Sequence, residues 1–497
     1  MKSVAAERKS APKMASACSG VLGSCGFTEA LTNADMQSRW ATTPLAERLR
    51  VVREARQRMA ARAEEFAAAI SPQLSRTKAD TLVTELLPLL AACKFLEREA
   101  KHILAPRRLG RRGRPVWMSG VVAEIHREPL GHVLLIGPSN FPLFLPGVQA
   151  LQALVAGNTV TWKPGSGGGA VAQLVAAVLH ESGLPTGVLT VTEESVEAAQ
   201  SALAAMPDKV IFTGSSKSGQ SVLAELAKSS TPAVVELSGA DAVVVTPSAD
   251  LSKVAKAVAF GLRLNGGAVC MSPRRLLATQ TTMTVLRPLL DAELAKVPAV
   301  ALAVTTAARL HEMLGEAVNS GAVLRGAFEP QAQRPLLVDH ATPDMSITRC
   351  DIFAPVLSLM TVESMLHVPE IYARCPYALA VSILCGKAEE KKARVLASML
   401  KAGTVLINDV IAPTADPRVP FGGRGESGYG VTRGAEGLLE MTAVKTILIR
   451  RGGAMWHLDA TREEDTQMFA ALIGAMHGNG LATRWSALKR LMKSARH

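Results

Sequence analysis

From residue 131 onward, short apolar runs alternate with helical patterns. "HVLLIG" precedes a helical pattern near 145–156, "NTVTWKP" one near 168–182, and "GVLTVT", "KVIFTG" and "AVVELSG" follow with helices between them. This alternation predicts parallel strands joined by crossover helices, a doubly wound α/β sheet. A second series starts at "AVVVTP" and runs through a helix near 251–263, "RRLLAT", "ALAVSILC", a helix near 387–401 and "GTVLIND". Two such series imply two α/β domains with a ligand cleft between them. Upstream, "TTPLAERLRVVREARQRMAARAEEFAAAI" predicts a helix with Thr43 as its cap and Pro44 at its first position. Leu45, Leu49, Val52, Met59, Phe66 and Ile70 form its apolar stripe. A second helical stretch covers 77–104, with a kink expected at Pro88.

Composition narrows the class. At 497 residues the chain exceeds a single core, and 48% apolar with 20% charged residues is ordinary for a soluble globular protein. No apolar run reaches the roughly 18 residues of a spanning helix. The opening "MKSVAAERKSAPKMASACSG" lacks the apolar core of a secretory signal, and residues 1–26 read as disordered. The 7 cysteines are scattered without a CxxC, which fits free thiols in a reducing cytoplasm and predicts no metal site. The net charge of +12 gathers in "RRLGRRGRP" and "RWSALKRLMKSARH" without the aromatic interleaving or zinc-finger spacing of a nucleic-acid binder, so no nucleic-acid partner is expected.

Cys270, in "NGGAVCMSPRR", could by itself be a packing residue, half of a disulfide, a metal ligand or a nucleophile. "VIFTGSSKSG" ends a strand and opens a helix at Gly214 and Ser215, where backbone amides can meet a phosphate. "TWKPGSGGG" ends a strand at Lys163. Neither turn matches G-x-G-x-x-G or the phosphate-binding loop of nucleotide hydrolases.

"GPSNFPLF", "WKPG", "FTGSSKSG", "VELSG", "NGGAVC" with Arg275, "DIFAPV" and "PFGGRGESGYG" stand in one order, and Glu236 and Cys270 lie 34 positions apart. This set resembles the aldehyde dehydrogenase superfamily of the NAD(P)-dependent, hydrolytic type over roughly residues 40–450. The resemblance implies a cofactor-binding and a catalytic α/β domain plus a small β oligomerisation element. It places the cofactor domain at 27–109 and 131–237 and the catalytic domain at 238–430. The oligomerisation element falls at 110–130 and 431–450, followed by an extension over 451–497.

Carried over residue by residue, the resemblance makes Cys270 the nucleophile, Glu236 the general base and Asn140 the oxyanion donor. Lys163 and Ser166 fall at the adenosine ribose, Gly214 and Ser215 at the pyrophosphate, and Asp351 and Phe353 at the nicotinamide ribose of NAD or NADP. Ser139, Phe141, Leu143, Phe144, Val269 and Met271 are expected around the substrate's approach, which favours an uncharged aldehyde. The chain departs from the family at Ala268, Ser238, Ala240, Ser166 and Asp351. Where members carry a proton-relaying Lys and Glu, it has Gln149 and Thr432. The loss of a carboxylate at Ser166 keeps NADP open beside NAD. Expected partners are a small-molecule aldehyde and further copies of the chain in a homodimer or homotetramer. Leu481, Trp485, Leu488 and Met492, flanked by Arg484, Lys489, Arg490, Lys493 and Arg496, form a basic amphipathic helix suited to peripheral membrane contact. A CoA-acylating relative and a catalytically retired oligomeric scaffold are the alternative functions.

Overall fold

In the computed structural model, which describes residues 33–74, 76–452 and 455–494, the first alternating series forms a six-stranded sheet. Its strands are β1 (His132–Ile136), β2 (Thr159–Lys163), β3 (Leu189–Val191), β4 (Lys209–Thr213) and β5 (Ala233–Glu236), all parallel. The second series supplies β6 (Asp241–Val245), β7 (Pro273–Thr279), β8 (Val323–Arg325), β9 (Leu336–Asp339), β10 (Val356–Val362), β11 (Ala380–Leu384) and β12 (Thr404–Ile407). These order as β8-β9-β10-β7-β6-β11-β12, with only the edge strand β8 antiparallel. A two-residue strand, β13 (Gly428–Tyr429), returns from the C-terminal part and pairs antiparallel with β5, setting Gly428 opposite Glu236. The first sheet therefore runs β13-β5-β4-β1-β2-β3.

Five helices matter for the site: α1 (Phe144–Ala156), α2 (Gly169–Glu181), α3 (Ser216–Leu226), α4 (Leu251–Arg263) and α5 (Val304–Asn319). α1 is buried on every side, so it is apolar all round rather than striped. Its two internal amides, Gln149 and Gln152, are buried with it. The carboxylate of Glu85 accepts from the backbone N–H groups of Leu143 (3.0 Å) and Phe144 (2.7 Å) at the start of α1. Glu85 is itself fully buried and paired with the buried guanidinium of Arg76, which lies over the Phe141 ring. One ion pair thereby satisfies two orphan amides of a helix end that water does not reach.

Three local expectations need correction. Thr43 does not cap the first predicted helix: a shorter helix (Asn33–Thr42) precedes it, and the Thr43 hydroxyl donates to Arg39 O within that turn. The predicted helix also breaks at Arg62, into Leu45–Ala61 and Ala63–Ala69. Pro88 produces no open kink; the backbone widens into a π-helical turn (Leu82–Leu86) and resumes as Leu87–Ile103 with Pro88 in its first turn. A π turn absorbs the missing proline N–H and the ring's clash with the preceding turn.

The chain divides into two units, one holding the described residues of 1–105 and 127–443, the other those of 106–126 and 444–497. The expectation for 1–26 and the position of Arg496 lie outside the described residues. In the second unit, strands Arg107–Leu109, Val121–Pro129 and Thr442–Arg450 form a three-stranded sheet in that order. The C-terminal extension holds two helices, Asp465–His477 and Leu481–Ser494, of which only the second was expected. They pack through Ala471 and Ala487, and a Cβ on Gly474 would stand 3.0 Å from that of Ala487. Among the described residues no helix is long and apolar enough to cross a membrane.

The Glu85 ion pair generates a stability prediction. Glu85→Ala leaves a buried, uncompensated Arg76 and two unpaired amides, and the expected loss is about 3–5 kcal/mol. A large fall in melting temperature for Glu85→Ala, against a smaller one for Glu85→Gln, is the expected calorimetric result.

Candidate active site

Cys270 sits on a loop whose preceding turn is left-handed at Asn265 (φ 52°), Gly266 (φ 61°) and Gly267 (φ 78°). The turn lifts the cysteine out of α4 and points it at the carboxyl ends of the first sheet. Gly267 cannot be replaced without collision, because a Cβ there would lie 2.8 Å from Ala354 O. Arg274 fixes the loop from behind: its guanidinium donates to Ala354 O at 2.6 Å and to Gly267 O, and Nε stands 3.5 Å from Asp351 Oδ1. Arg275 is equally buried; it donates to Ala240 O at 2.9 Å and lies over the Tyr372 ring. Asn265 donates its amide to Asn140 O (3.0 Å), and the Asn140 amide in turn reaches Ala268 O (3.0 Å). The carbonyl of the unusual Ala268 thus holds the expected oxyanion donor beside the cysteine.

Glu236 ends β5, and its Oε1 lies 3.9 Å from the Cys270 sulfur. Its Oε2 is buried without a partner. Burial pushes the carboxyl up to about 7, against the opposing charge of Arg433 and the hydrogen bond from Cys270. Burial also drives the Cys270 thiol well above its usual value; Glu236, Asp241 and Asp351 add to the rise and Arg433 opposes it. The pair thus lies in hydrogen-bond contact within a low-dielectric site that disfavours the ionised form of both the carboxyl and the thiol.

A cavity of about 380 Å³ opens above this pair, lined among others by Ser139, Asn140, Gly214, Ser215, Asp351 and Phe353. Ser215 caps α3 by accepting from Ser218 N (3.2 Å), and Gly214 donates its N–H to Glu236 O (3.1 Å). A Cβ on Gly214 would meet the Phe212 ring at 2.7 Å, so this turn keeps its backbone open to a ligand. Asp351 is buried, its Oδ1 facing Arg274 Nε at 3.5 Å without a hydrogen bond, and burial raises its carboxyl to about 6 despite Arg274. An acceptor in that condition suits the hydroxyls of a ribose. The exposed ring of Phe353 and the turn at Gly214–Ser215 complete a set that fits a nicotinamide dinucleotide.

Lys163 ends β2, where burial depresses its ammonium and Glu194 opposes the depression. A Cβ at Gly165 would fall 2.3 Å from the Pro138 backbone, so glycine alone lets the two ligand loops touch. Ser166 is exposed on the turn and makes no part of the cavity lining. Sequence reasoning missed Glu194, whose carboxylate accepts from Gly167 N and Gly169 N at 2.6 Å each. The carboxylate lost at Ser166 is therefore returned to the start of α2 by another segment.

Of the residues expected around the substrate, only Ser139 lines this cavity. Phe141, Leu143, Phe144, Val269 and Met271 are buried in the core, Leu143 completely, because the α1 start and the cysteine loop turn their apolar side chains inward. Thr305, Thr306 and Arg309 from α5 line the cavity instead and carried no motif that would have marked them. Gln149 donates to Thr213 Oγ1 (3.3 Å) and Thr432 to Phe421 O (3.2 Å), so both neutral replacements serve backbone and side-chain packing.

Comparison with known proteins agrees with this geometry. The aldehyde dehydrogenase family matches residues 26–447. A 4,4'-diapolycopene aldehyde oxidase of Methylomonas sp is 28% identical over 414 residues, covering 81% of this chain and 77% of its own. The crystal structure of an NAD-dependent aldehyde dehydrogenase from Sinorhizobium meliloti superposes with a TM-score of 0.77 at 26% identity, over 85% of this chain and 88% of that one. That of an NADP-dependent glyceraldehyde-3-phosphate dehydrogenase from Bacillus halodurans, in complex with NADP, does so at 0.76 and 25%, over 84% and 90%. With the cysteine loop, the buried glutamate and the match over most of its length in agreement, the chain belongs to the aldehyde dehydrogenase family.

Proposed function

We propose that the protein oxidises an aldehyde to a carboxylic acid with NAD or NADP as acceptor, through a covalent intermediate on Cys270. The observation that carries this reading is the Cys270–Glu236 contact of 3.9 Å in a cavity that the buried carboxylate of Asp351 also lines. Glu236 takes the thiol proton, and the thiolate adds to the aldehyde carbon, moving the carbonyl electron pair onto oxygen. The Asn140 amide leaves Ala268 O to donate to that oxyanion, a contribution of about 3 kcal/mol to the barrier. When bound, the nicotinamide supplies the acceptor for the hydride. Oxidation of the carbon leaves a thioester on Cys270. Once its first proton has passed to bulk water, Glu236 takes a proton from the water that attacks the thioester; the C–S bond then breaks, and the leaving Cys270 thiolate recovers that proton from Glu236 as the acid is released.

For the cofactor, Lys163, Glu194, Gly214 and Ser215 would hold the adenosine half and Asp351 and Phe353 the nicotinamide half. A carboxylate beside Lys163 repels a ribose phosphate, so Glu194 biases the chain toward NAD. A second copy would pair with the edge strand Thr442–Arg450, whose Val444 and Leu448 are exposed, to give a dimer or tetramer. The helix Leu481–Ser494 turns Leu481, Trp485 and Met492 outward among basic residues, a face suited to an anionic membrane surface.

Three tests follow from these assignments. Cys270→Ala should abolish aldehyde-dependent cofactor reduction, while Glu236→Gln should slow both the single-turnover burst, which needs the thiol proton removed, and the steady-state rate. Because the base works ionised and its carboxyl lies at about 7, wild-type turnover should rise as pH climbs through neutrality. A Glu236→Gln enzyme with full steady-state turnover would overturn the role of the base. Glu194→Gln should raise the NADP-to-NAD ratio of kcat/KM by about tenfold, a change of about 1.4 kcal/mol; an unchanged ratio would remove Glu194 from cofactor choice. The full chain should sediment with anionic vesicles, and a chain ending at residue 450 should not; equal sedimentation would exclude the membrane contact.

A further inference from the structure

Arg433 combines burial, a strained backbone and an unneutralised charge. It is buried, with only 4% of its surface exposed. Its backbone, at φ 63° and ψ 173°, occupies a region that glycine alone enters readily. Its guanidinium lies 4.4 Å from the Phe421 ring centre and 5.4 Å from that of Phe144, donates to Thr414 O, and leaves Nε without a partner. No carboxylate lies within ion-pair distance of it among the described residues. The loop is held in this strained form by Gln152, which accepts from Arg433 N (3.3 Å) and donates to Gly434 O (3.1 Å). Just upstream, β13 lies against β5 at Glu236, so the same loop is registered on the base.

We infer that Arg433 is a positioning residue that supplies, from the C-terminal loop, the fixed positive charge needed for the Glu236–Cys270 pair to ionise. The inference rests on the proposed roles of those two residues. The charges facing the pair are otherwise unfavourable or engaged. Glu236, Asp241 and Asp351 all oppose a thiolate at Cys270. Arg274 is taken up by Asp351 and two carbonyls, Arg275 by Ala240 O and Tyr372, and Arg309 is exposed at the cavity wall. The α1 position facing Thr213 is the neutral Gln149, and Thr432 beside Arg433 is neutral as well. Arg433 stands beside the pair on both sides: the Thr414 whose carbonyl it holds gives its hydroxyl to Met271 Sδ at 3.7 Å, one residue from Cys270, and the strand just before it lies opposite Glu236, so its charge opposes the rise at both. Held between two aromatic rings, away from a carboxylate, its charge reaches the site unneutralised.

The test compares Arg433→Gly, which relieves the backbone strain while removing the charge, with Arg433→Lys, which keeps the charge. Cys270 alkylation by iodoacetamide is followed by mass spectrometry in the cofactor-free enzyme, with and without Glu236→Gln, alongside the pH profile of aldehyde oxidation. Arg433→Gly should slow alkylation at mildly alkaline pH by about tenfold in the Glu236→Gln background and move the acid limb of turnover up by about one pH unit. Arg433→Lys should restore both to within about threefold of wild type. Unchanged alkylation and an unmoved limb in a folded Arg433→Gly enzyme would overturn the inference. So would a defect confined to the KM of anionic aldehydes, which would make Arg433 a substrate anchor. The alkylation arm needs no aldehyde oxidation, so a failure of the proposed activity is read separately from a failure of this inference.

Discussion

The catalytic loop depends on one buried guanidinium. Arg274 ties Gly267 O to Ala354 O and stands against Asp351, joining the segment before the cysteine to the segment that carries Asp351 and Phe353. Without such a tie the left-handed run at 265–267 would have little to hold it, since three residues there sit at positive φ. The clamp works because both carbonyls belong to loops at the same ends of neighbouring parallel strands, where backbone acceptors are not consumed by the sheet. The positions of Cys270 and Asp351 are thereby set by the same side chain.

A second constraint concerns charge. The site buries Glu236, Asp241 and Asp351 within reach of one thiol, and each carboxyl rises because burial outweighs its cationic neighbours. Two arginines, Arg274 and Arg275, are spent on carbonyls and on Tyr372, which leaves Arg433 as the cation that opposes the rise at the thiol. Chemistry therefore takes place in an environment that resists anions until a ligand or a nearby cation changes the balance.

Much of the fold was legible because its signals are periodic: strand-and-helix alternation named both sheets, and the ordered motifs named Cys270, Glu236 and Asn140. What escaped depended on contacts between distant segments. Glu194 carries no motif, yet it closes on the turn that Ser166 left without a carboxylate. Glu85 looks like an ordinary helical acid until the start of α1 is laid over it. Phe141, Leu143 and Phe144 read as a mouth because they adjoin Asn140, but the helix start rotates them into the core. Arg433, three residues beyond a recognised glycine-rich motif, gains meaning only from burial and from a backbone angle that sequence does not display.

The state of the thiol at rest carries a consequence for durability. Burial and three carboxylates hold Cys270 protonated when no substrate is present. Peroxides and disulfides react with thiolates, so a cysteine kept as the neutral thiol is slow to climb toward sulfenic and sulfinic acids. The same crowding of acids that slows the first proton transfer thus protects the sulfur between turnovers.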